Sequence, residues 1–272
     1  MDDIYKAIFS RNIGFLTESE QEKLRASSVA IAGVGGVGGL LAERLIRLGV
    51  GQLKILDPGD FEKSNLNRQF CSSMLTLGHN KAEVVFKQIK DINQQAKIHY
   101  SKTGIKTEKD AVVFLNGCDV VVDAIDFGLF RESIFMQREA RRNGMYYMFA
   151  SAIGFGALVA IFDPKGLTLE EYDNLPRDID LSKAEKLKVP LEKICPVVPS
   201  YSFSTSDEAE KILGQVLAGE RGAPTSSIGV GLASILAANE VMNIILRKRD
   251  IVCAPQYTYV DLFDRRFLVG TA

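Results

Sequence analysis

Residues 29–39 read VAIAGVGGVGG, a short apolar run followed at once by a glycine-rich turn. The next residues, LLAERLIRLG at 40–49, have the spacing of an amphipathic helix that ends at a glycine. LKILD at 53–57 is then a second short apolar run. A strand, a glycine turn, a helix and a second strand in this order form a βαβ unit. The stretch therefore predicts the start of a parallel sheet.

The residues that follow continue this alternation of helical and apolar segments. Helical spacing recurs at 81–92 and 130–143, and short apolar runs recur at 97–100, 119–123, 145–150 and 157–162. The run DVVVD at 119–123 is almost entirely apolar, as in a strand that is covered on both faces. The pattern predicts an α/β fold, with a doubly wound, Rossmann-like, mostly parallel sheet and helices on both of its faces.

The glycine turn has the spacing of a nucleotide-binding loop. Gly33 permits a tight turn, Gly35 lets backbone amides approach phosphate oxygens, and Gly38 lets the helix pack on the strand; Gly36 lies in the same loop. Asp57 ends the next apolar run, where a carboxylate accepts hydrogen bonds from ribose hydroxyls. Up to this point NAD and ATP fit equally well, and a plain tight turn is the non-functional alternative.

The sequence becomes charged and rich in proline after residue 164, and a long helical segment begins at about Ser227. Apolar runs at 257–261 and 267–269 predict closing strands that form an antiparallel extension. We expect one domain over residues 1–272, divided into a nucleotide-binding core at 27–163, a substrate-side excursion at 164–226 and closing elements at 227–272.

The composition limits the class of protein. The chain has 272 residues, of which 46% are hydrophobic, and a net charge of −1, so it can bury a large core and has no global positive field for nucleic acid or an anionic membrane. Its four cysteines form no C-x-x-C pair, which argues against a zinc ribbon or a disulfide scaffold. The acidic N-terminus lacks the pattern of a signal peptide. We therefore expect a cytoplasmic protein.

Residues 226–246 are apolar over roughly the length that spans a bilayer. They also contain Asn239, Glu240 and Asn243, which are unfavourable inside a membrane. The segment therefore predicts a buried helix of a soluble protein, and no membrane partner is expected.

Several polar residues lie where a triphosphate would need them. Arg68 has the planar fork that grips phosphate oxygens, and Lys81 carries a mobile point charge. Asp126 follows the run at 119–123, at the edge of the sheet where ligands bind, and its carboxylate suits Mg²⁺. Asn65 has an amide for the nucleotide or for an incoming carboxylate. Taken singly, each is more often a surface charge, a cap or a turn residue.

Four further motifs accompany GVGGVGG at 33–39. They are DPGDFEKSNLNRQF at 57–70, GHNKA at 78–82, DAID at 123–126 with Arg131 after it, and ANEVM at 238–242. On these residues the sequence resembles the ThiF/MoeB/HesA family, the bacterial relatives of ubiquitin-activating enzymes. The resemblance is strong from residue 10 to about residue 162 and looser afterwards, and SNLNRQ is its most specific part.

The resemblance implies an ATP-dependent adenylyltransferase, in which a carboxylate attacks the α-phosphate of Mg·ATP and pyrophosphate leaves. Carried onto the matching positions, Asp57 would hold the ribose, Asp126 the Mg²⁺, and the phosphates would be held by Asn65, Arg68 and Lys81. Arg11 resembles an arginine that family dimers contribute to the partner's nucleotide site, which implies a homodimer.

The sequence departs from the family pattern at two places. Phe127 follows Asp126 where the family commonly has asparagine, and the paired C-x-x-C zinc motif is absent, so no zinc is expected. Cys195 lies in the excursion, where some relatives carry a cysteine that forms a thioester. The alternative is a structural thiol, which is favoured because no histidine lies near it in the sequence to activate it.

The acceptor of the adenylate is left open by the sequence. It is the C-terminus of a ubiquitin-like carrier protein, a peptide, or the carboxyl group of a modified tRNA base, and the near-zero net charge disfavours tRNA. Two other functions remain as alternatives. One is an NAD(P)-dependent oxidoreductase, which leaves Arg68, Lys81 and Asp126 unexplained, and the other is an inactive nucleotide-binding partner subunit.

Overall fold

The structure is a computed structural model, and it describes residues 3–126, 128–181, 189–201, 207–217, 220 and 222–272. Its helices are α1 (Asp3–Phe9), α2 (Glu18–Ala26), α3 (Gly36–Leu48), α4 (Lys81–Ile92), α5 (Glu108–Leu115), α6 (Phe130–Arg142), α7 (Leu169–Tyr172), α8 (Leu191–Ile194), α9 (Asp207–Leu217) and α10 (Ser227–Leu246). Its strands are β1 (Ser28–Ala32), β2 (Gln52–Leu56), β3 (Lys97–Ser101), β4 (Val120–Asp123), β5 (Tyr146–Ile153), β6 (Gly156–Phe162), β7 (Gln256–Asp261) and β8 (Arg266–Thr271). Single-turn 3-10 helices span Ser10–Asn12 and Lys63–Asn65.

Within the described residues, the eight strands form one sheet in the order β3-β2-β1-β4-β5-β6-β7-β8. The first five strands in this order are parallel, and β6, β7 and β8 each pair antiparallel with their neighbours. The predicted α/β fold, with a mostly parallel sheet and an antiparallel C-terminal extension, is confirmed.

Two hydrophobic clusters cover the two faces of the sheet. In β1, Val29 and Ile31 point into one cluster with α3, α4 and α10, and Ala30 and Ala32 point into the other with α5 and α6. All five residues of β1 are buried, because side chains alternate between faces and both faces are covered. The strands are apolar throughout because helices cover both faces of the sheet.

Helix α10 lies on the first face against α3, β5 and β6. It has the length and composition of a membrane span, yet 56% of its apolar window is buried inside the fold. Its polar residues have partners there: Asn243 accepts a hydrogen bond from the Arg249 amide at 2.9 Å, and Glu240 pairs with the Arg249 guanidinium. The predicted buried helix is therefore present.

The first part of the predicted excursion packs on the second face and does not lie over the crevice. Leu169, Tyr172, Leu181 and Val197 belong to the cluster on that face. Arg138 of α6 fixes this segment through a hydrogen bond of 2.8 Å to Glu170. Within the excursion, residues 182–188, 202–206, 218–219 and 221 lie outside the described residues.

Candidate active site

β1 and β4 are neighbours in the sheet, and the space at their carboxyl ends is called the crevice below. The helix after β1 packs on one face of the sheet, and the helix after β4 packs on the other. The chain therefore leaves the two strands in opposite directions, and open α/β sheets bind ligands at such a switch point. The predicted loop, Asp57 and Asp126 all lie at this carboxyl edge.

The glycine loop is packed too tightly for side chains at two of its positions. Gly33 has φ +83, and a Cβ placed on it would lie 2.4 Å from the Ala124 carbonyl oxygen. A Cβ on Gly38 would lie 1.9 Å from the carbonyl oxygen of Gly33. The backbone of the loop therefore lies against the turn after β4, and the first turn of α3 opens into the crevice.

Asp57 joins the glycine loop to the segment after β2. Its carboxylate accepts hydrogen bonds from the amides of Val34 at 2.9 Å and Gly59 at 2.8 Å. The side chain is buried, and burial raises the pKa of the carboxyl group, although the Gly59 amide and the Lys81 cation act in the opposite direction. Asp57 thus lies where a ribose-binding carboxylate is expected.

Lys81 is the first residue of α4, and its Nζ lies 3.5 Å from the Cβ position of Gly59. Within the described residues its side chain forms no hydrogen bond and no ion pair. The first turn of a helix disfavours cations, because the helix dipole is positive there. A lysine at this position whose ammonium group forms no hydrogen bond among the described residues suits an anionic ligand.

Three helices begin at the crevice. Gly36 starts α3, Lys81 starts α4, and Ser226 caps α10 through a hydrogen bond of 3.0 Å from the Gly229 amide. The α10 terminus approaches the glycine loop, because Val230 Cγ1 would lie 2.9 Å from a Cβ on Gly36. Helix N-termini carry partial positive charge and free amides, so their convergence favours a phosphate-rich ligand.

Arg68 and Asn65 lie on the segment that borders the loop. The Cγ of Arg68 is 3.8 Å from the Cβ position of Gly36, and its guanidinium donates to the Ser64 carbonyl at 2.9 Å. Asn65 is buried, and its Oδ1 accepts from the Glu62 amide at 3.0 Å. Asn65 therefore stabilises the 3-10 turn that carries Arg68, and a direct contact between Asn65 and a nucleotide stays a prediction.

Sequence reasoning missed Gln69, which follows Arg68. Its side chain lies 3.5 Å from the Cβ position of Gly35. Its Oε1 is buried and has no hydrogen-bond partner within the described part of the chain. A buried acceptor of this kind requires a donor, so a polar ligand on the glycine loop fits the residues that are present.

Asp126 lies just beyond β4 on the other wall of the crevice. Its side chain makes no hydrogen bond or ion pair among the described residues, and it is close enough to Asp57 to interact with it electrostatically. No group of three or more His, Cys, Asp or Glu side chains in the described ranges is arranged to hold a metal. A single carboxylate suits Mg²⁺, which is commonly held by one or two carboxylates together with phosphates and water. Phe127 lies outside the described residues.

Comparison with known proteins fixes the family. The ThiF family model matches residues 9–269, which is nearly the whole chain. The chain belongs to the ThiF family. The resemblance inferred from the motifs is confirmed, and the match includes the later part of the chain, where the resemblance was looser.

ThiF-family relatives of this chain match it over part of their length. The tRNA threonylcarbamoyladenosine dehydratase of Bacillus subtilis is 37% identical over 118 residues, covering 43% of this chain and 46% of that protein. Ubiquitin-like modifier-activating enzyme 5 of Aedes aegypti is 39% identical over 98 residues, covering 36% of this chain and 24% of that protein. The chain thus spans less than half the length of these curated relatives.

Solved structures share the ThiF-family fold. The crystal structure of E. coli MccB with ATP has a TM-score of 0.69 and 18% identity, covering all of this chain and 72% of MccB. The structure of MccB in complex with N-formylated MccA has a TM-score of 0.72, 18% identity and coverage of 100% and 74%. At these identities the likeness concerns the fold.

In this ThiF-family chain, Arg11 lies far from its own crevice. Its neighbour Asn12 donates to the carbonyl of Leu48 at 3.4 Å, at the C-terminal end of α3, whereas the glycine loop precedes the N-terminal end. A helix of 13 residues is about 20 Å long. Arg11 therefore cannot serve the site of its own subunit, which is consistent with the role predicted for it in a partner's site.

Cys195 also lies away from the crevice. Its thiol donates to the Val197 carbonyl at 3.2 Å and interacts electrostatically with Tyr257, which lies near the start of β7. Since β7 runs parallel to β5, its start lies toward the opposite edge of the sheet from the glycine loop. Burial raises the pKa of the thiol. This environment favours the interpretation of Cys195 as a structural thiol rather than a cysteine that forms a thioester.

Proposed function

We propose that this chain is an ATP-dependent adenylyltransferase that activates a carboxyl group as an acyl adenylate. The observation that carries the proposal is the position of Lys81 and Asp126 on either side of Asp57. Both are close enough to interact electrostatically with Asp57, and neither side chain forms a hydrogen bond or ion pair among the described residues. A dinucleotide cofactor has no need of this pair, since helix amides satisfy its pyrophosphate. Breaking the bond between the α and β phosphates requires cations against the charge that develops.

The residues have distinct roles in this reaction. Amides of the glycine loop and of the first turn of α3 bind phosphate oxygens, and Asp57 accepts hydrogen bonds from the ribose. Lys81 and Arg68 bind the β and γ phosphates, and Asp126 would hold Mg²⁺. When bound, this ion neutralises phosphate charge.

The proposed step is a displacement at phosphorus. A carboxylate oxygen of the acceptor attacks the α-phosphorus, and the bond from that phosphorus to the oxygen bridging to the β-phosphate breaks. The electron pair leaves on pyrophosphate, where Lys81 and Arg68 stabilise the added charge. The products are the acyl adenylate and pyrophosphate.

The acceptor belongs to one of three classes: a carrier protein, a peptide or a tRNA base. One relative is named for tRNA, another for a ubiquitin-like modifier, and a structural neighbour is in complex with MccA. With a net charge of −1, the chain lacks the positive excess that phosphate-dominated binding needs. We propose a protein or peptide C-terminus as the acceptor.

We also propose that the active form is a homodimer. Arg11 is exposed at the far end of α3 from its own crevice, and exposed apolar side chains surround it in sequence: Ile4, Ile8, Ile13 and Phe15. Such a surface suits a second copy of the chain, which would receive Arg11 in its nucleotide site.

The test of the function is exchange of radiolabelled pyrophosphate into ATP. The acceptor is a random peptide library with free C-terminal carboxylates, and the matched control is the same library with C-terminal amides. We expect exchange with the free acids alone, and none with an Asp126→Ala variant. Exchange with bulk tRNA but not with peptides would identify tRNA as the acceptor. Conversion of ATP into ADP and phosphate would contradict the proposed adenylation.

A further inference from the structure

Asp123 is a buried carboxylate three residues before Asp126, at the end of β4. It lies at the switch point, on the same face of β4 as buried Val121, and only 5% of it is exposed. Burial raises the pKa of its carboxyl group, and within the described residues it forms no ion pair with a cation. Burying a carboxylate costs free energy, which hydrogen bonds within the protein must offset.

The contacts of Asp123 come from three elements. Its Oδ1 accepts a hydrogen bond from the backbone amide of Ile125 at 3.1 Å, and its Oδ2 accepts one from the hydroxyl of Tyr147 on β5. The hydroxyl of Ser133 on α6 is close enough to the carboxylate to lower the pKa of Asp123, against the effect of burial. The carboxylate thus fixes the direction of the chain from residue 123 to residue 126 and ties that turn to the neighbouring strand and helix.

The turn that Asp123 holds also packs against the glycine loop. The amide of Ala124 donates to the carbonyl of Ala32 at 2.8 Å, and the carbonyl of Ala124 occupies the space beside Gly33. Asp126 is the next charged residue of this turn. The bond between Asp123 and the amide of Ile125 therefore constrains the turn that carries Asp126 beside the glycine loop.

We infer that Asp123 is a positioning residue that acts through Asp126, with Tyr147 holding it in place. The inference rests on the proposed function, because it assigns Asp126 to a divalent cation bound with ATP. Partners that orient a metal-binding carboxylate typically change metal affinity about 10- to 100-fold when they are removed. Asp123 would then tune cation binding without touching the cation.

The test measures binding of Mn²⁺ by electron paramagnetic resonance, with α,β-methylene-ATP as an uncleavable nucleotide. We expect Asp123→Asn to raise the Mn²⁺ dissociation constant about tenfold, because an amide has one accepting atom and cannot replace both carboxylate oxygens that accept from Ile125 and Tyr147. Tyr147→Phe keeps the aromatic contact with Phe162 and removes one donor, so we expect a smaller rise in the same direction. In an Asp126→Ala background, neither change has a further effect.

Asp261 gives a matched control at the same edge of the sheet. It is buried and accepts hydrogen bonds from the hydroxyls of Tyr201 and Tyr259 and from the amide of Asp264, but it lies at the end of β7. We expect Asp261→Asn to leave Mn²⁺ binding unchanged. If the role of Asp123 were purely structural, Asp123→Asn and Asp261→Asn would both lower the stability of the protein, and neither would change Mn²⁺ binding otherwise. Thermal unfolding of each variant measures the change in stability.

The outcomes separate the inference from the function. The inference is overturned, and the proposed function stands, if the wild type and Asp123→Asn bind the Mn²⁺–nucleotide complex equally tightly. The same conclusion follows if Asp123→Asn weakens Mn²⁺ binding by the same factor in the Asp126→Ala background. If the wild type binds no Mn²⁺ with the nucleotide, the proposed function fails and the inference fails with it. Should Asp123→Asn not fold, Tyr147→Phe decides by the same criteria.

Discussion

The carboxylate of Asp57 accepts a hydrogen bond at 2.9 Å from the backbone amide of Val34, and this bond joins the end of β2 to the glycine loop. The same carboxylate accepts from the amide of Gly59. One buried side chain therefore sets the relative positions of two segments that contact the nucleotide in the proposed function.

Asp57→Ala is expected to weaken both the fold and nucleotide binding. It leaves two amides without their acceptor, and each unsatisfied buried group costs about 1–3 kcal/mol. Since the ribose contact is lost as well, affinity should fall for adenosine and for ATP alike. Denaturant unfolding and calorimetric titration measure the two effects, with exposed Asp60→Ala as the control. Unchanged adenosine affinity would remove Asp57 from the ribose site.

Gly38→Ala should destabilise the protein by about 3 kcal/mol or more, because the new Cβ would lie 1.9 Å from the Gly33 carbonyl oxygen. The control is Gly231→Ala in α10, where nothing lies within 4 Å of the Cβ position. Alanine is the better helix former, so this variant should gain about 0.5–1 kcal/mol. Equal unfolding midpoints for the two variants would contradict the described packing of the loop.

Arg11 supports a complementation test of the proposed dimer. Arg11→Ala and Asp126→Ala are each expected to abolish exchange, and mixed subunits should recover it, because a heterodimer has one site with both residues. In an equal mixture about a quarter of wild-type activity should return, since half of the dimers are mixed and each has one intact site. The absence of any recovery after subunit exchange would place Arg11 outside a shared site.

Asp173 should make the stability depend on pH. Burial, and secondly the charge of Glu170, raise the pKa of its carboxyl group to about 7, and only the Lys193 cation opposes them. An unfolded aspartate titrates near 3.9, so between these pH values the native state holds a proton that the unfolded chain has lost. The stabilising effect of that proton is complete below about pH 4 and is lost as the pH rises through about 7.

The measurement compares the wild type with Asp173→Asn in denaturant unfolding at about pH 5 and about pH 8. The wild type should lose about 2 kcal/mol relative to the variant over this interval. A difference in free energy of unfolding that stays constant, or that changes in favour of the wild type at high pH, would show that Asp173 is ionised in the native state throughout.

Much of the fold could be predicted from local patterns. The helix at 81–92 was predicted with the bounds that the structure gives it, because Asn80 caps it and its apolar positions face the sheet. Helices α2 and α5 were missed, although Thr17 with Glu20 and Thr107 with Asp110 form capping boxes that the sequence displays. Both helices could therefore have been predicted from the capping boxes in the sequence.

The parts of the site that could not be predicted depend on contacts between distant segments. The role of Asp123 requires Tyr147 on another strand, and the position of Arg11 requires Asn12 to reach the end of α3. Gln69 becomes a candidate ligand-binding residue only because its amide oxygen is buried, without a hydrogen-bond partner among the described residues, beside Gly35. None of these contacts leaves a periodic pattern in the sequence.

The most direct test of the account compares the affinities of Mg·ATP, adenosine and NAD⁺ for Lys81→Met and Arg68→Met. The control is Lys87→Met, which changes an exposed lysine of the same helix that pairs with Glu83. Each lost charge-assisted hydrogen bond is worth about 1.5–3 kcal/mol, so ATP affinity should fall about ten- to hundredfold while adenosine affinity stays unchanged. Binding of NAD⁺ in preference to ATP by the wild type, or unchanged ATP affinity in both variants, would contradict a site built for a triphosphate.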